Sequence, residues 1–262
     1  MKGPLYKWGL FLYLDSMRIL NAVMAHKDFY WNDLPEEELK KYLVFTYNDI
    51  KTNIPNVVKL ERTESLNDNF YSEMAAMKYI RHNVDFDWIV INHYRRRLEV
   101  PDYNNIYVPI QNNFILNVKE LYALNHNIED LALVTDILMN VDLSPNYKSE
   151  WIKSLNDNSM FCYNMFSTPK EIFYELIDIY EKIMDKFIEA RNFKTMDDVI
   201  KYCDKMPNKE YNHLPYRIGG FIAERLTNCY IRTLINKYNM FPFTTTPVIS
   251  TNVKLLEDGM SI

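Results

Sequence analysis

The chain has 262 residues, 48% of them hydrophobic and 25% charged, enough to bury a sizeable core and too apolar to be disordered. Its net charge of −5 disfavours sequence-independent nucleic-acid binding as its main work. Only 5 glycines are present, which argues against a turn-dense β fold, and no GxGxxG or GxxxxGK motif occurs, which removes the dinucleotide fingerprint and the P-loop.

The first candidate element is the apolar stretch Trp8 to Leu14, followed by Asp15. It is too short to span a bilayer and lacks a small-residue cleavage site, so a soluble protein is expected. Residues 17–25 read as a first strand, ending at His26-Lys27. Residues 35–41 read as a short helix with Pro35 at its start and acids in the first turn. Residues 42–46 read as a second strand.

The spacing of Phe70, Met74, Met77 and Ile80 predicts a helix over 70–81. Residues 88–92 form a branched apolar run, hence a buried strand, which opens onto His93-Tyr94-Arg95-Arg96-Arg97. Residues 106–110 resemble another short strand. Helices are expected over 118–124, 128–139 and 146–155, and an aromatic strand over 160–166.

Pro169 introduces an amphipathic helix to about residue 190, with Ile172, Leu176, Ile179, Ile183 and Phe187 on one stripe. A shorter helix covers 196–203 and a long one 215–238, with Gly219-Gly220 near its start. The last residues look extended. Strands alternate with helices first and helices dominate later, which is an α/β fold with a helical elaboration. Cys162, Cys203 and Cys229 are widely spaced and lack a CxxC, so they read as reduced, buried residues and not as a zinc site.

Four clusters carry candidate chemistry. Two of them, His26-Lys27 and His93 to Arg97, directly follow predicted strands. Ligands of open α/β sheets sit beyond the carboxyl ends of strands, and arginine forks suit phosphate oxygens. The alternative for the arginines is a solvated basic turn. The third cluster, Asn67 to Glu73, has the look of a helix cap. The fourth runs from Tyr216 to Arg225. Two adjacent glycines early in a helix point to close approach by a ligand or by another backbone segment.

Taken together, Ala25-His26-Lys27, Asn69 to Ala76, His93-Tyr94-Arg95-Arg96, Tyr122 with His126, Asn164-Met165-Phe166 and Gly220 to Leu226 resemble a bacterial capsular-polysaccharide-synthesis glycosyltransferase family, known mainly as a domain of unknown function. The resemblance covers about residues 18–235. Arg97-Leu98 departs from it, standing where the family has an aromatic pair.

The resemblance implies a GT-A-like nucleotide-diphospho-sugar transferase fold in one domain, 1–262, with a sheet-containing part over 17–166 and a helical part and tail over 167–262. It implies a UDP-sugar or similar donor and a surface-glycan acceptor, in the cytoplasm or at the inner membrane surface, with no membrane span. With the residue reading beside it, in which Arg217 shares a helical face with Gly220 and Glu224, the expectation puts His26, Lys27, Asn69, Arg95, Arg96, Asn164, Arg217 and Gly220 at the donor, and Glu224, Glu73 and His93 in catalysis.

No cofactor is assigned. Asp85-Phe86-Asp87 precedes its strand, at the wrong end of the sheet for a nucleotide-sugar metal. The expectation is therefore that arginines, without a metal, stabilise the diphosphate leaving group. A divalent Mn or Mg held by other carboxylates stays open. Glu73 and Glu224 are alternatively structural carboxylates paired with Arg217 or Arg225. Two other functions compete: a virus-encoded enzyme glycosylating a modified DNA base in the host cytoplasm, and an inactive binding module on the same fold.

Overall fold

A computed structural model describes residues 17–61, 66, 68–205, 216–237 and 243–250. The apolar stretch at Trp8, the start of the Asn67 cluster and Pro215 lie outside them.

The main strands are β1 (Ile19–Met24), β2 (Tyr42–Thr46), β3 (Val57–Lys59), β4 (Trp88–His93), β5 (Arg96–Leu98) and β6 (Ile106–Pro109). A two-stranded pair joins β7 (Asn112–Asn113) to β8 (Ser159–Met160). The chain then returns to the main sheet with β9 (Phe166–Pro169), β10 (Phe243–Thr246) and β11 (Val248–Ser250).

Among the described residues the main sheet runs β10-β6-β9-β4-β1-β2-β3, with β5 continuing from β4 and β11 beside β5. β1 is parallel to β2 and β4, and β2 to β3. β9 inserts antiparallel between β4 and β6. The helices are α1 (Glu36–Leu39), α2 (Asp68–Tyr71), α3 (Glu73–Asn83), α4 (Val118–Asn125), α5 (Ile128–Asn140), α6 (Pro145–Asn156), α7 (Lys170–Arg191), α8 (Met196–Cys203) and α9 (Ile218–Lys237). None of them is long and apolar enough to cross a membrane.

β4 lies between β1 and β9 and is buried along its whole length, which is why its sequence reads as a continuous apolar run. Its side chains alternate between faces. Ile89 and Ile91 join the large core under α3, α7 and α9, while Trp88 and Val90 join a small cluster with Leu98 and Met165 on the other side. Each such buried side chain contributes roughly 1.5–3 kcal/mol. The α7 stripe packs into the large core through Leu176, Ile179, Ile183 and Phe187, with Ile172 at its margin.

Two elements differ from the pattern in the sequence. The helix expected over 70–81 is broken at Ser72, whose φ of 52° and ψ of −133° lie outside helical geometry. The strand expected over 160–166 is interrupted by a turn in which Tyr163 (φ 79°) and Asn164 (φ 51°) are both left-handed. Its two ends are β8 and β9, which belong to different sheets.

Candidate active site

The parallel strands bring their carboxyl ends to one edge. In register, Met24 of β1 lies between Phe45 of β2 and His93 of β4. Beyond them the backbone stays knitted: Ala25 N–H donates to Phe45 O (3.1 Å), and Tyr94 N–H to Met24 O (3.0 Å). Asn48, past the end of β2, donates its amide to His26 O (2.8 Å). The two post-strand histidines therefore meet. Their ring centroids are 6.3 Å apart, and Tyr94 packs against both, at 4.8 Å from His26 and 4.3 Å from His93.

A cavity of about 80 Å³ opens at this edge, lined among others by His26, Asn48, Asn69, Ser72, Glu73 and Arg217. Glu73 opens α3 and sets Oε1 3.5 Å from His93 Nε2. The Arg95 N–H donates to His93 Nδ1 (3.3 Å), which leaves the ring proton on Nε2, facing Glu73. Burial pushes His93 below the ordinary histidine value, against the opposing pull of Glu73. Burial alone would raise the Glu73 carboxyl, but the His93 hydrogen bond and charge, its own backbone N–H and Arg217 hold it at about 2. The pair is thus an ionised carboxylate and a neutral imidazole.

His26 is also neutral. Burial, then Arg217 and His93, push it down to about 4. The Arg217 guanidinium lies 3.4 Å from His26 Nε2, and the Tyr94 hydroxyl 3.5 Å. Arg217 stands just before α9, so the start of that helix delivers a cation into the cavity.

The arginines after β4 spread along the same edge. Arg95 is exposed at the hairpin tip, with its guanidinium 5.3 Å from the Tyr94 ring. Arg96 stacks on Tyr163 at 4.2 Å. Arg97 turns away to pair with Asp33 (2.9 Å). Lys27 is exposed beside His26.

The Tyr163-Asn164 turn reaches this edge because β9 runs antiparallel to β4, with Phe166 opposite Ile91. Glu224 braces the turn. Its Oε1 accepts the Tyr163 N–H (2.7 Å) and its Oε2 accepts from Arg225 (2.9 Å). Asn164 is buried, and its Oδ1 has no hydrogen-bond partner among the described residues.

The structure thus brings His26, Asn69, Glu73 and Arg217 together on one cavity, with His93 behind Glu73 and Arg95 and Arg96 close by. Glu224 is not among the residues lining that cavity, and its cation is the adjacent Arg225, not Arg217. Gly220 faces the Ser72 side chain and not the cavity's donor side: a Cβ there would lie 2.5 Å from Ser72 Oγ. Tyr122 and His126 are buried under α9, where burial and then Arg225 push His126 to about 3.

Sequence reasoning placed Ser72 inside the Asn67 to Glu73 cluster but gave it no role of its own, and it did not single out Tyr163, although the asparagine beside Tyr163 is the residue type that tolerates a left-handed turn.

At the opposite end of β4, Asp85 pairs with Arg18 and with Lys170 (2.8 Å), and Asp87 with Arg18 (2.9 Å). Both acids are committed to cations away from the cavity. Among the described residues no group of three or more His, Cys, Asp or Glu side chains is arranged to hold a metal ion.

No curated protein sequence matches the chain. Among 36 matching solved chains is the apo structure of the WbbM bifunctional glycosyltransferase, at 17% identity and a TM-score of 0.66. The match covers 90% of this chain and 45% of that one, so this chain spans less than half of that protein's length. At this identity the likeness is one of fold: a central, mostly parallel sheet with flanking helices, GT-A-like in its arrangement. Residues 100–237, just over half of the chain, match the family model described as Domain of unknown function (DUF4422). That segment carries Tyr122, His126, Asn164, Arg217, Gly220 and Glu224, and the chain belongs to the DUF4422 family.

Proposed function

We propose that this chain is a glycosyltransferase that moves a sugar from a nucleotide-diphosphate donor to a hydroxyl acceptor. One observation carries the reading: Arg217, Arg95 and Arg96 share the carboxyl edge of a GT-A-like sheet with an ionised Glu73 held by neutral His93. Sugar transfer breaks the bond between the anomeric carbon and the diphosphate, and charge builds on the departing oxygen. Arginines fixed beside that oxygen lower the barrier, by about 2.7–4 kcal/mol for one well-placed donor.

Glu73 is the group placed to take the proton of the attacking hydroxyl. At about 2 it is a weak base in the empty site. A bound diphosphate brings negative charge next to it, which raises its pKa and makes it a better one. His93 keeps the carboxylate aimed and stays neutral. UDP as the nucleotide and a cell-surface glycan as the acceptor are drawn from the resemblance to polysaccharide-synthesis enzymes, and the fold shared with the WbbM bifunctional glycosyltransferase supports glycosyl transfer at that coarser level.

A thermal-shift panel of UDP-, GDP-, CMP- and dTDP-sugars tests the reading, together with an assay for released nucleoside diphosphate in the presence of glycan acceptors. Donor at a hundred times its Kd stabilises the fold by about 2.7 kcal/mol. One donor class is expected to raise the melting temperature and be turned over. A panel that neither shifts the transition nor releases nucleotide overturns the proposal.

A further inference from the structure

Two glycines of α9 press against the break between α2 and α3. A Cβ on Gly219 would lie 2.7 Å from the Phe70 ring, and one on Gly220 would lie 2.5 Å from Ser72 Oγ and 2.6 Å from Ser72 Cβ. Such distances leave no room for a methyl group without movement of the elbow. Ser72 holds φ 52° and ψ −133°, a conformation that glycine adopts freely and serine does not. The apolar spacing of Phe70, Met74, Met77 and Ile80 runs straight through this point, so nothing local demands the break. Contact with α9 is what the elbow answers to.

The elbow has two functional neighbours. Glu73 is the next residue, and Arg217 sits three positions before Gly220, just ahead of the same α9. Ser72, Glu73 and Arg217 all line the 80 Å³ cavity.

We infer that Gly220 and Ser72 form a steric latch that positions the Glu73–His93 pair: the bare face of α9 locks the Ser72 elbow, and the elbow sets where Glu73 stands relative to His93 and Arg217. Both are positioning residues, acting through Glu73. The kinetic consequence rests on the glycosyl-transfer reading, whereas the geometric link does not.

The test is a double-mutant cycle with two readouts. Gly220→Ala adds a methyl that meets Ser72 Oγ and Cβ, and Ser72→Gly removes both of those atoms. Displacing the carboxylate by about 1 Å costs about 10²-fold in turnover. Gly220→Ala is expected to lose that much and to move the His93 ring N–H signal in NMR spectra. In a Ser72→Gly background the same change is expected to restore both, measured against Ser72→Gly alone. Gly219→Ala, which meets Phe70 instead, gains nothing from Ser72→Gly.

Equal losses in both backgrounds, or an unmoved His93 signal in Gly220→Ala, overturn the latch. If Gly220→Ala does not fold, the double variant decides: folded with the native His93 signal supports the latch, and unfolded overturns it. A wild-type chain that turns over no nucleotide-sugar counts against the proposed function and leaves the NMR arm to judge the latch.

Discussion

The two ends of β4 carry similar residue types in opposite states. At the amino end, Asp85, Asp87, Arg18 and Lys170 form a chain of ion pairs in solvent, with Asp85 62% and Arg18 54% exposed. At the carboxyl end, Glu73 is one-fifth exposed and His93 hardly at all. The amino end neutralises itself, and its cations hold the Asp85 carboxyl at about 2. The carboxyl end is left unbalanced: His26 and His93 stay neutral, and Arg217, Arg95 and Arg96 cluster around a single carboxylate. Water screens the first set of charges throughout, whereas at the second it reaches Arg95 but little of Glu73 and His93. The Asp-x-Asp pattern marks a site in many glycosyltransferases. Here it closes the back of the strand, where Arg18 and Lys170 neutralise it.

The sharpest way to break this comparison is to remove the unbalanced cations. Arg95→Ala and Arg96→Ala are each expected to cut turnover by about 30- to 1000-fold with an unchanged fold, on the order of 2–4 kcal/mol of transition-state stabilisation. Lysine at either position is expected to recover only part, because it lacks the fork and, at position 96, the planar stack on Tyr163. Nucleotide-release kinetics beside circular dichroism check this. Near-wild-type turnover in both alanine variants removes the arginines from the leaving-group role.

Acid separates the two ends next. His26 at about 4, His126 at about 3 and His93, also lowered, are neutral in the fold and titrate near 6.5 when unfolded. Below pH 6.5 the unfolded chain therefore binds more protons than the folded one. Stability present above that pH is lost as the pH falls toward 4 through His26 and toward 3 through His126. Each of these two groups costs about 2 kcal/mol at pH 5. The amino-end carboxylates titrate lower, since Asp85 falls from 3.8 to about 2, and leave the range from about pH 7 to pH 5 nearly untouched.

The melting temperature is expected to drop between pH 7 and pH 5. His126→Phe is expected to remove His126's share, since neither ring nitrogen has a hydrogen-bond partner among the described residues and the ring packs on Phe221 at 4.2 Å. A pH slope equal to wild type in His126→Phe contradicts the assignment.

Legibility in the sequence tracked the range of the interaction. β2 and α8 fall where their patterns place them, and β4 runs only one residue longer, because each is defined by its own periodicity and burial. The strand-end histidines and arginines were legible for the same reason: once β1 and β4 are placed, the residues after them must emerge at the carboxyl edge. β3 and β5 were not, since three residues become a strand only through their partners. Ser72 and Tyr163 depend on α9, through Gly220 in one case and the Glu224 carboxylate in the other. Such long-range contacts override an otherwise unbroken local pattern. The pairing of Arg217 with His26 was equally hidden. The sequence offered Arg217 as an ion-pair partner for Glu73 or Glu224, but Arg217 lies outside the first turn of α9 and turns toward the end of β1.

The smallest expected effect lies at the amino end. Exposed ion pairs lose most of their Coulomb energy to side-chain ordering and are screened by salt. Asp85→Asn and Asp87→Asn are therefore expected to lower the melting temperature only slightly, with the difference shrinking in high salt. Neither acid borders the cavity, so turnover is expected to be unchanged in both variants. By the same reasoning, donor-induced thermal shifts and nucleotide release are expected to survive exhaustive chelation with EDTA, because Arg95, Arg96 and Arg217 supply the charge that the diphosphate needs. If EDTA abolishes turnover and Mn or Mg restores it, a metal has a place at the carboxyl end. If Asp85→Asn or Asp87→Asn alone removes that restoration, the two ends of β4 have been assigned the wrong way round.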